Sequence, residues 1–535
     1  MIRMIDDVAE RLRTAGRGGR VLLSLSAGLL GALALPPLDL WLFLLPAFSA
    51  LVWLLDGAAC RRDLSRGGRM RAAAGVLFWF GLGWFGASVW WVGEAFLVDA
   101  DRFLWLMVPA VAAMTLTLAL FWALGGAVAG FLWPCGRSVR LFVLAASLTV
   151  VEIMRGHFLG GFPWNLPAHA LDGLPILQQT GRLAGIYGLT FLAILWSALP
   201  ALLAGPASTV RRDGLPAGGV IVLSLLAAGV FGAWRLSDAP SGTAVAVRIV
   251  QPNVDQREKW KPANREAIFR RLLALSAGPG RDGFTPRVVV WPESAVPFLL
   301  DENPKALAMI AEVLRPGQIL LTGAIRRAAP DGPDSRKLYN SLLVVDDRGR
   351  IIGSYDKRRL VPFGEYLPLA FLLEPLGIRR LVGLPGGFLE GQNESPLELP
   401  GLPSAGVLIC YEAIFPQLGT SFGEGAEWLV NVTNDAWFGR SSGPWQHLAA
   451  ARLTAIVTGR PMVRSANTGI SAVIDEKGRI LNYLLLMRDG VLDAHLMVDR
   501  GGSSPPAPGD GAIFFLMLLV LFLAGKVRVK NADAG

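Results

Sequence analysis

Residues 406–412 read Gly406-Val407-Leu408-Ile409-Cys410-Tyr411-Glu412, a short apolar run that stops on a single thiol followed by a carboxylate. The run reads as a strand, and the chain from about Ala413 reads as a helix, so Cys410 falls at a strand-to-helix turn. A helix start beside it would favour a thiolate and supply backbone N–H donors for an oxyanion. Working outward, Ala244–Val250, Val288–Trp291, Ile319–Ala324, Leu342–Val345, Val407–Cys410, Leu429–Val432, Met462–Ser465 and Ile470–Ile474 also read as strands. Between them Asn264–Ser276, Lys305–Leu314 and Gln446–Gly459 carry helical apolar spacing. This alternation predicts an α/β or α+β layered domain.

The chain around that domain is of a different kind. Of 535 residues, 53% are hydrophobic and 17% charged, where a soluble domain carries about 25% charged residues. A purely soluble protein is excluded. From Asp238 to Asp510 there are 30 Lys and Arg against 29 Asp and Glu, so most of the net charge of +9 lies in the flanks, between apolar runs. A surplus so placed is a membrane-topology signal rather than a nucleic-acid footprint, and no nucleic-acid partner is expected.

Eight runs approach the roughly 17–25 residues that cross a bilayer: Val21–Pro37, Leu40–Leu55, Ala72–Trp91, Phe103–Leu132, Leu141–Met154, Gly185–Leu203, Gly219–Trp234 and Ala512–Ala524. Arginines crowd alternate loops (Arg61, Arg62, Arg66, Arg69 and Arg71 in one, Arg211 and Arg212 in another), while the intervening loops hold few. The bias predicts both termini in the cytoplasm and the polar block outside it. The expected organisation is a membrane domain over 1–237 with about seven spans, an exported domain over 238–500, a linker over 501–511, and a last span with a cytoplasmic tail over 512–535.

Of three cysteines, Cys60 and Cys135 fall in or beside the Arg-rich loops, which leaves Cys410 alone in the exported block. A lone buried cysteine is commonly a small hydrophobe, but two polar residues occupy equivalent places. Glu293 closes the strand Val288–Trp291 through Pro292, and a carboxylate there can serve as a general base. Lys357 follows the strand-like Ile351–Ser354 through Tyr355 and Asp356, and its cation could hold a forming oxyanion. Each alone is equally readable as a surface ion pair. His447, in the helical stretch after Gly443-Pro444-Trp445, is the competing base or a structural hydrogen-bonding group. The four histidines show no metal-ligand spacing, so no metal and no cofactor are expected. Val361–Gly387 is Pro- and Gly-punctuated and apolar; it reads equally as an insertion packed on the core or as a lid touching lipid.

Three motifs, Trp291-Pro292-Glu293, the run Tyr355-Asp356-Lys357-Arg358-Arg359-Leu360-Val361-Pro362-Phe363-Gly364-Glu365-Tyr366, and Ile409-Cys410-Tyr411-Glu412, resemble those of the nitrilase (carbon–nitrogen hydrolase) superfamily. With Asn431-Val432-Thr433-Asn434-Asp435-Ala436-Trp437-Phe438-Gly439 and the flanking spans, the whole chain resembles the bacterial apolipoprotein N-acyltransferases. The resemblance implies an α-β-β-α sandwich on the periplasmic side of the inner membrane. It implies transfer of a fatty acyl chain from a phospholipid, typically phosphatidylethanolamine, to the amine of a diacylglyceryl-cysteine on a lipoprotein. By motif position Cys410 would be nucleophile, Glu293 base and Lys357 oxyanion partner, with Glu365, Tyr411 and Glu412 in support. Trp260, Leu369, Phe371 and Leu372 are expected to meet the lipid substrate. Glu152 with Arg155, beside Gly160-Gly161-Phe162-Pro163-Trp164, resembles a family segment at the outer membrane boundary, read as structural support rather than chemistry. Two rivals stay open: a membrane-bound nitrilase-like amidase using water as acceptor, and a non-enzymatic ligand-binding membrane protein.

Overall fold

The computed structural model describes residues 2–135, 138–204, 213–239, 242–280, 283–328, 337–368, 370–373, 375, 387–499 and 507–532. Residues 501–506 of the expected linker, Leu369 and all of 376–386 lie outside them. The chain divides into two units: Met1–Gly93 with Trp105–Asp238 and Ala507–Gly535, and Glu94–Leu104 with Ala239–Pro506.

The first unit is helical. Among the described residues, five helices are long and apolar enough to cross a bilayer: Trp41–Ala59, Ala100–Leu132, Arg140–Gly160, Gly181–Leu203 and Leu215–Ser237. Arg66–Ser88 with Trp90–Leu97, bent by 43°, makes a sixth. The first expected run is a helix over Arg17–Ala32, only 16 residues long, and the last lies within the helix Asp510–Ala532. Inside the unit, Arg155 bonds Glu152 (2.6 Å) and also donates to the carbonyls of Phe162 and Trp164 (2.5 and 2.9 Å). Trp122 donates to the other Glu152 oxygen at 2.5 Å. The pair thus ties the turn after its helix to the helix end, satisfying charges that lipid would not. Cys60 and Cys135 are joined in a disulfide, a pairing their spacing did not announce.

The second unit is layered. A six-stranded sheet has the order β11-β1-β2-β3-β4-β5, built from β1 (Thr243–Gln251), β2 (Val288–Trp291), β3 (Ile319–Arg327), β4 (Leu338–Asp346), β5 (Ile351–Asp356) and β11 (Gly490–Val498). A five-stranded sheet has the order β10-β9-β8-β7-β6, from β6 (Ala405–Ile409), β7 (Trp428–Thr433), β8 (Met462–Ala466), β9 (Ser471–Ile474) and β10 (Ile480–Leu484). Helices Arg265–Ala277 and Pro304–Val313 pack Ile268, Phe269, Leu272 and Ile310 on the first sheet, against Val289, Trp291 and Leu320. Trp291 Nε1 fastens that layer by donating to Ser276 Oγ at 2.8 Å. The fold is therefore the expected nitrilase-like sandwich.

Strand direction positions the site. β1, β2 and β3 are mutually parallel, as are β6, β7 and β8, and β5 regains the β3 direction after antiparallel β4. Ser465 Oγ, near the end of β8, reaches the carbonyls of Val250 and Val290 near the ends of β1 and β2, at 3.3 Å each. The carboxyl ends of both sheets thus open on one end of the sandwich, where ligands of parallel sheets gather.

Candidate functional site

At that end the residues after β2, β5 and β6 are Glu293, Lys357 and Cys410. Lys357 Nζ lies 3.4 Å from Glu293 Oε1 and 3.0 Å from Glu365 Oε1, all three side chains being buried. Burial works against the Lys357 ammonium, but the carboxylates of Glu365 and Glu293 outweigh it and hold the amine above its ordinary value. It stays a cation. Asn340 on β4 donates to Glu293 Oε1 (2.7 Å) and Glu365 Oε1 (2.9 Å), bridging the two carboxylates. Glu365 Oε2 accepts from the Val361 N–H at 2.8 Å, which pins the root of the apolar loop to the cluster.

Cys410 faces the same charges. Burial pushes its thiol above the ordinary value, Glu293 adds to the push, and Lys357 opposes it. The net push is away from the thiolate that a neighbouring helix start would favour. The physical reason is local: Cys410–Ile414 is a 3-10 turn and Pro416–Thr420 a separate five-residue helix. A residue before proline is steered out of the helical region, and Phe415 duly sits at φ −112°, ψ 87°. The long helix expected from about Ala413 is thus replaced by two short turns. What remains of the expectation is a strained elbow, since Cys410 has φ +51°, a left-handed value that costs a non-glycine residue about 1–3 kcal/mol.

The supporting residues meet there too. Glu412 accepts the N–H groups of Ile409 (2.7 Å), Arg358 (2.7 Å) and Arg359 (3.0 Å), so one carboxylate stitches the Cys410 elbow to the segment carrying Lys357. Burial lifts it to about 7 against those donors. Tyr411 is buried, its ring edge-on to Phe415 at 5.1 Å. Trp260 is 38% exposed beside Lys259, whose Nζ lies 3.4 Å from the Glu293 carbonyl oxygen. Burial lowers Lys259 to about 8, Glu293 opposing. Phe371 is 74% exposed on the short helix Ala370–Leu373. Leu369 and the Leu372 side chain lie outside the description.

Sequence reading missed Asn340 and a second buried cluster behind the elbow. His447 Nε2 lies 3.0 Å from the Cys410 carbonyl oxygen and Nδ1 2.8 Å from Asp435 Oδ1. Arg464 Nη2 bonds Asp435 Oδ2 at 2.7 Å. Burial opposes the Asp435 charge, but Arg464 and His447 hold that carboxyl at about 2. His447 is thus engaged with the backbone of Cys410 rather than arranged as its base. The available signal was a polar residue inside an apolar strand, Asn340 in Leu338–Asp346 and Arg464 in Met462–Ala466. Among the described residues no group of three or more His, Cys, Asp or Glu is arranged to hold a metal ion.

Comparison with known proteins addresses both units. Residues 246–505 match the carbon–nitrogen hydrolase family and 27–199 the N-terminal domain of apolipoprotein N-acyltransferase. Proteins named apolipoprotein N-acyltransferase are similar over nearly the whole length. That of Brucella melitensis biotype 1 is 41% identical, covering 98% of each chain. Those of Rhodopseudomonas palustris and Bradyrhizobium diazoefficiens are 43% and 44% identical, covering 96% of this chain and 98% and 96% of their own. Among solved structures, a carbon–nitrogen hydrolase of Helicobacter pylori G27 aligns with 47% of this chain and 89% of its own at 16% identity and TM-score 0.36. An amidase of Nesterenkonia sp. aligns with 50% and 96% at 18% identity and TM-score 0.36.

Proposed function

We propose a mechanism and a topology from one premise: this chain belongs to the apolipoprotein N-acyltransferase family. It is an acyltransferase of lipoprotein maturation, moving a fatty acyl chain onto the N-terminal amine of an apolipoprotein. The donor we assign is a phospholipid, phosphatidylethanolamine first, and the acceptor a diacylglyceryl-cysteine.

The reaction runs in two halves through Cys410. Glu293 takes the thiol proton as the sulfur attacks the ester carbonyl, because a thiol raised by burial is not ionised beforehand. Lys357 and the Tyr411 N–H receive the oxyanion. Collapse breaks the acyl–oxygen bond, Glu293 returns the proton to the leaving alkoxide, and an S-acyl enzyme remains beside a lysophospholipid. The acceptor amine then attacks the thioester, Glu293 takes its proton, and the thiol is restored as the amide forms. Glu365 and Asn340 keep Lys357 and Glu293 at their posts, and Glu412 keeps Lys357 opposite the elbow.

The observation that carries this reading is the Glu293–Lys357–Glu365 cluster, closed within 3.4 Å and electrostatically coupled to the Cys410 sulfur. The membrane setting is consistent with the exposed apolar side chains Trp260, Phe363 and Phe371 in the segments that leave the carboxyl ends of β1 and β5. In this reading Val361–Gly387 is a lipid-facing gate that excludes water while the thioester waits. The arginine bias supports eight spans, both termini in the cytoplasm and residues 238–500 in the periplasm, with the linker 501–511 leading to the last span at 512–535.

Intact-mass measurement of the purified chain given phospholipid tests the scheme. A fatty-acyl adduct on the wild type, absent from Cys410→Ala and discharged by a diacylated lipopeptide into a triacylated product, is expected. Discharge only as free fatty acid would replace the acyltransferase by a hydrolase.

A further inference from the structure

The cluster behind the elbow has no part in the scheme above, yet it is buried completely and contacts the nucleophile's own backbone. Cys410 O is an acceptor only, so the His447 nitrogen 3.0 Å away, Nε2, carries the hydrogen between them. Nδ1 lies between Asp435 Oδ1 at 2.8 Å and Arg464 Nη2 at 3.2 Å, which fixes the ring. Asp435 is held in turn by Arg464 and by Thr433 Oγ1 at 2.9 Å. Arg464 Nη1 bonds Asn431 Oδ1, and Asn431 Nδ2 donates to the Leu408 carbonyl at 2.8 Å, two residues before Cys410. The space is filled: a methyl group on Gly469 would come within 2.3 Å of Asp435 Oδ2. His447, Asp435 and Arg464 are all fully buried.

We propose that His447 is a positioning residue for the oxyanion donor, aiming the Tyr411 N–H by holding the Cys410 carbonyl from behind. The inference rests on the acyl-transfer reading given above. Its physical basis is the planar peptide: the Cys410 carbonyl and the Tyr411 N–H belong to one trans unit and point in opposite directions. Fixing the oxygen on the His447 side turns the N–H to the opposite side of the peptide. A donor on the carbonyl also polarises the amide, which strengthens its N–H as a donor. The same bond holds Cys410 at φ +51°, a conformation the local chain would otherwise leave. Arg464 Nη2, placed between His447 Nδ1 and Asp435 Oδ2, then sets ring orientation by donating to that nitrogen.

The test compares His447→Leu with His447→Gln, whose amide can still donate to the carbonyl. Two quantities are read in the full-length protein with phosphatidylethanolamine vesicles: the single-turnover rate of adduct formation, and the infrared stretch of the thioester carbonyl in the acyl enzyme. Removing one oxyanion donor costs about 10²–10³-fold; a misaimed one is expected to cost His447→Leu about 30- to 100-fold in rate at unchanged half-saturating lipid. Its carbonyl band should move to higher wavenumber, and His447→Gln should recover most of both. A support role in folding alone would lower yield or unfolding temperature and leave the rate per folded molecule and the band unmoved; that result overturns the proposal. Should His447→Leu fail to fold, Asp435→Asn is read instead, with about a tenfold loss and a band shift in the same direction, and no shift overturning it. Absence of an adduct on the wild type would instead defeat the acyl-transfer reading and this inference with it.

Discussion

Two buried charged clusters flank Cys410, and they differ in what they hold. In front, Glu293, Lys357 and Glu365 share one cation between two carboxylates, with Asn340 bridging the acids. Behind, Asp435 lies between one permanent cation, Arg464, and one imidazole, His447. The front set acts on the sulfur, the rear set on the carbonyl of the same residue. Burying either is costly unless every member is paired. The difference teaches that a reaction centre in a dry pocket has to order the backbone as well as the reacting side chains.

Changes in the front should stop chemistry first. Cys410→Ala is expected to abolish the acyl adduct, and Glu293→Gln to slow its formation by about 10²–10⁴-fold, the usual weight of a general base; adduct on Cys410→Ala would end the assignment. Changes at the rear should act on stability as strongly as on rate. Arg464→Met takes from the buried Asp435 its one permanent cation and is expected to remove about 3–5 kcal/mol of stability, seen as a large fall in unfolding temperature. Lys357→Met should lose activity more completely than stability, because in the proposed scheme Lys357 receives the oxyanion. An equal loss of stability in both would erase the distinction between the clusters.

A pH scan sharpens it further. Asp435 is held at about 2, below its usual 3.8, so it contributes stability above that ordinary value. The contribution, about 2 kcal/mol at 1.36 kcal/mol per unit, is lost as pH falls through 4 toward 2. Asp435→Asn should remove that acid-side slope, to be checked by unfolding temperature against pH. The smallest effect is expected outside both clusters: Phe371→Ser should slow adduct formation in vesicles by no more than a few-fold while leaving a short-chain, soluble donor unaffected. Equal effects on both donors would count against a lipid-facing loop.

Much of this was legible in the residues. Buried parallel strands announce themselves as unbroken apolar runs, and Val288–Trp291 was placed to the residue. Two of the four edge strands do not: Ile480–Leu484 and Gly490–Val498 mix polar with apolar residues, which hides them from a reading of local hydropathy. Three strand ends bearing Glu, Lys and Cys were visible as a trio, with Glu365 in support by resemblance, yet not that Asn340 would bridge Glu293 and Glu365. Asn340 hides in a nine-residue strand, and only its register on β4, opposite Ile325, directs it to the site. The helix expected after Cys410 does not form because Pro416 steers Phe415 out of the helical region.

Order and spacing of residues alone thus pointed to Glu293, Lys357 and Cys410 as the candidate trio, and determined the layered class of the domain and the apolar flanks, because each is written in local hydropathy and residue chemistry. Tertiary structure decided the burial of the thiol, the partners of each charge and the bond from His447 to the Cys410 carbonyl. Those depend on burial and on distances between residues far apart in the chain, such as Glu293 and Lys357 at 3.4 Å across 64 positions, and no local pattern encodes them.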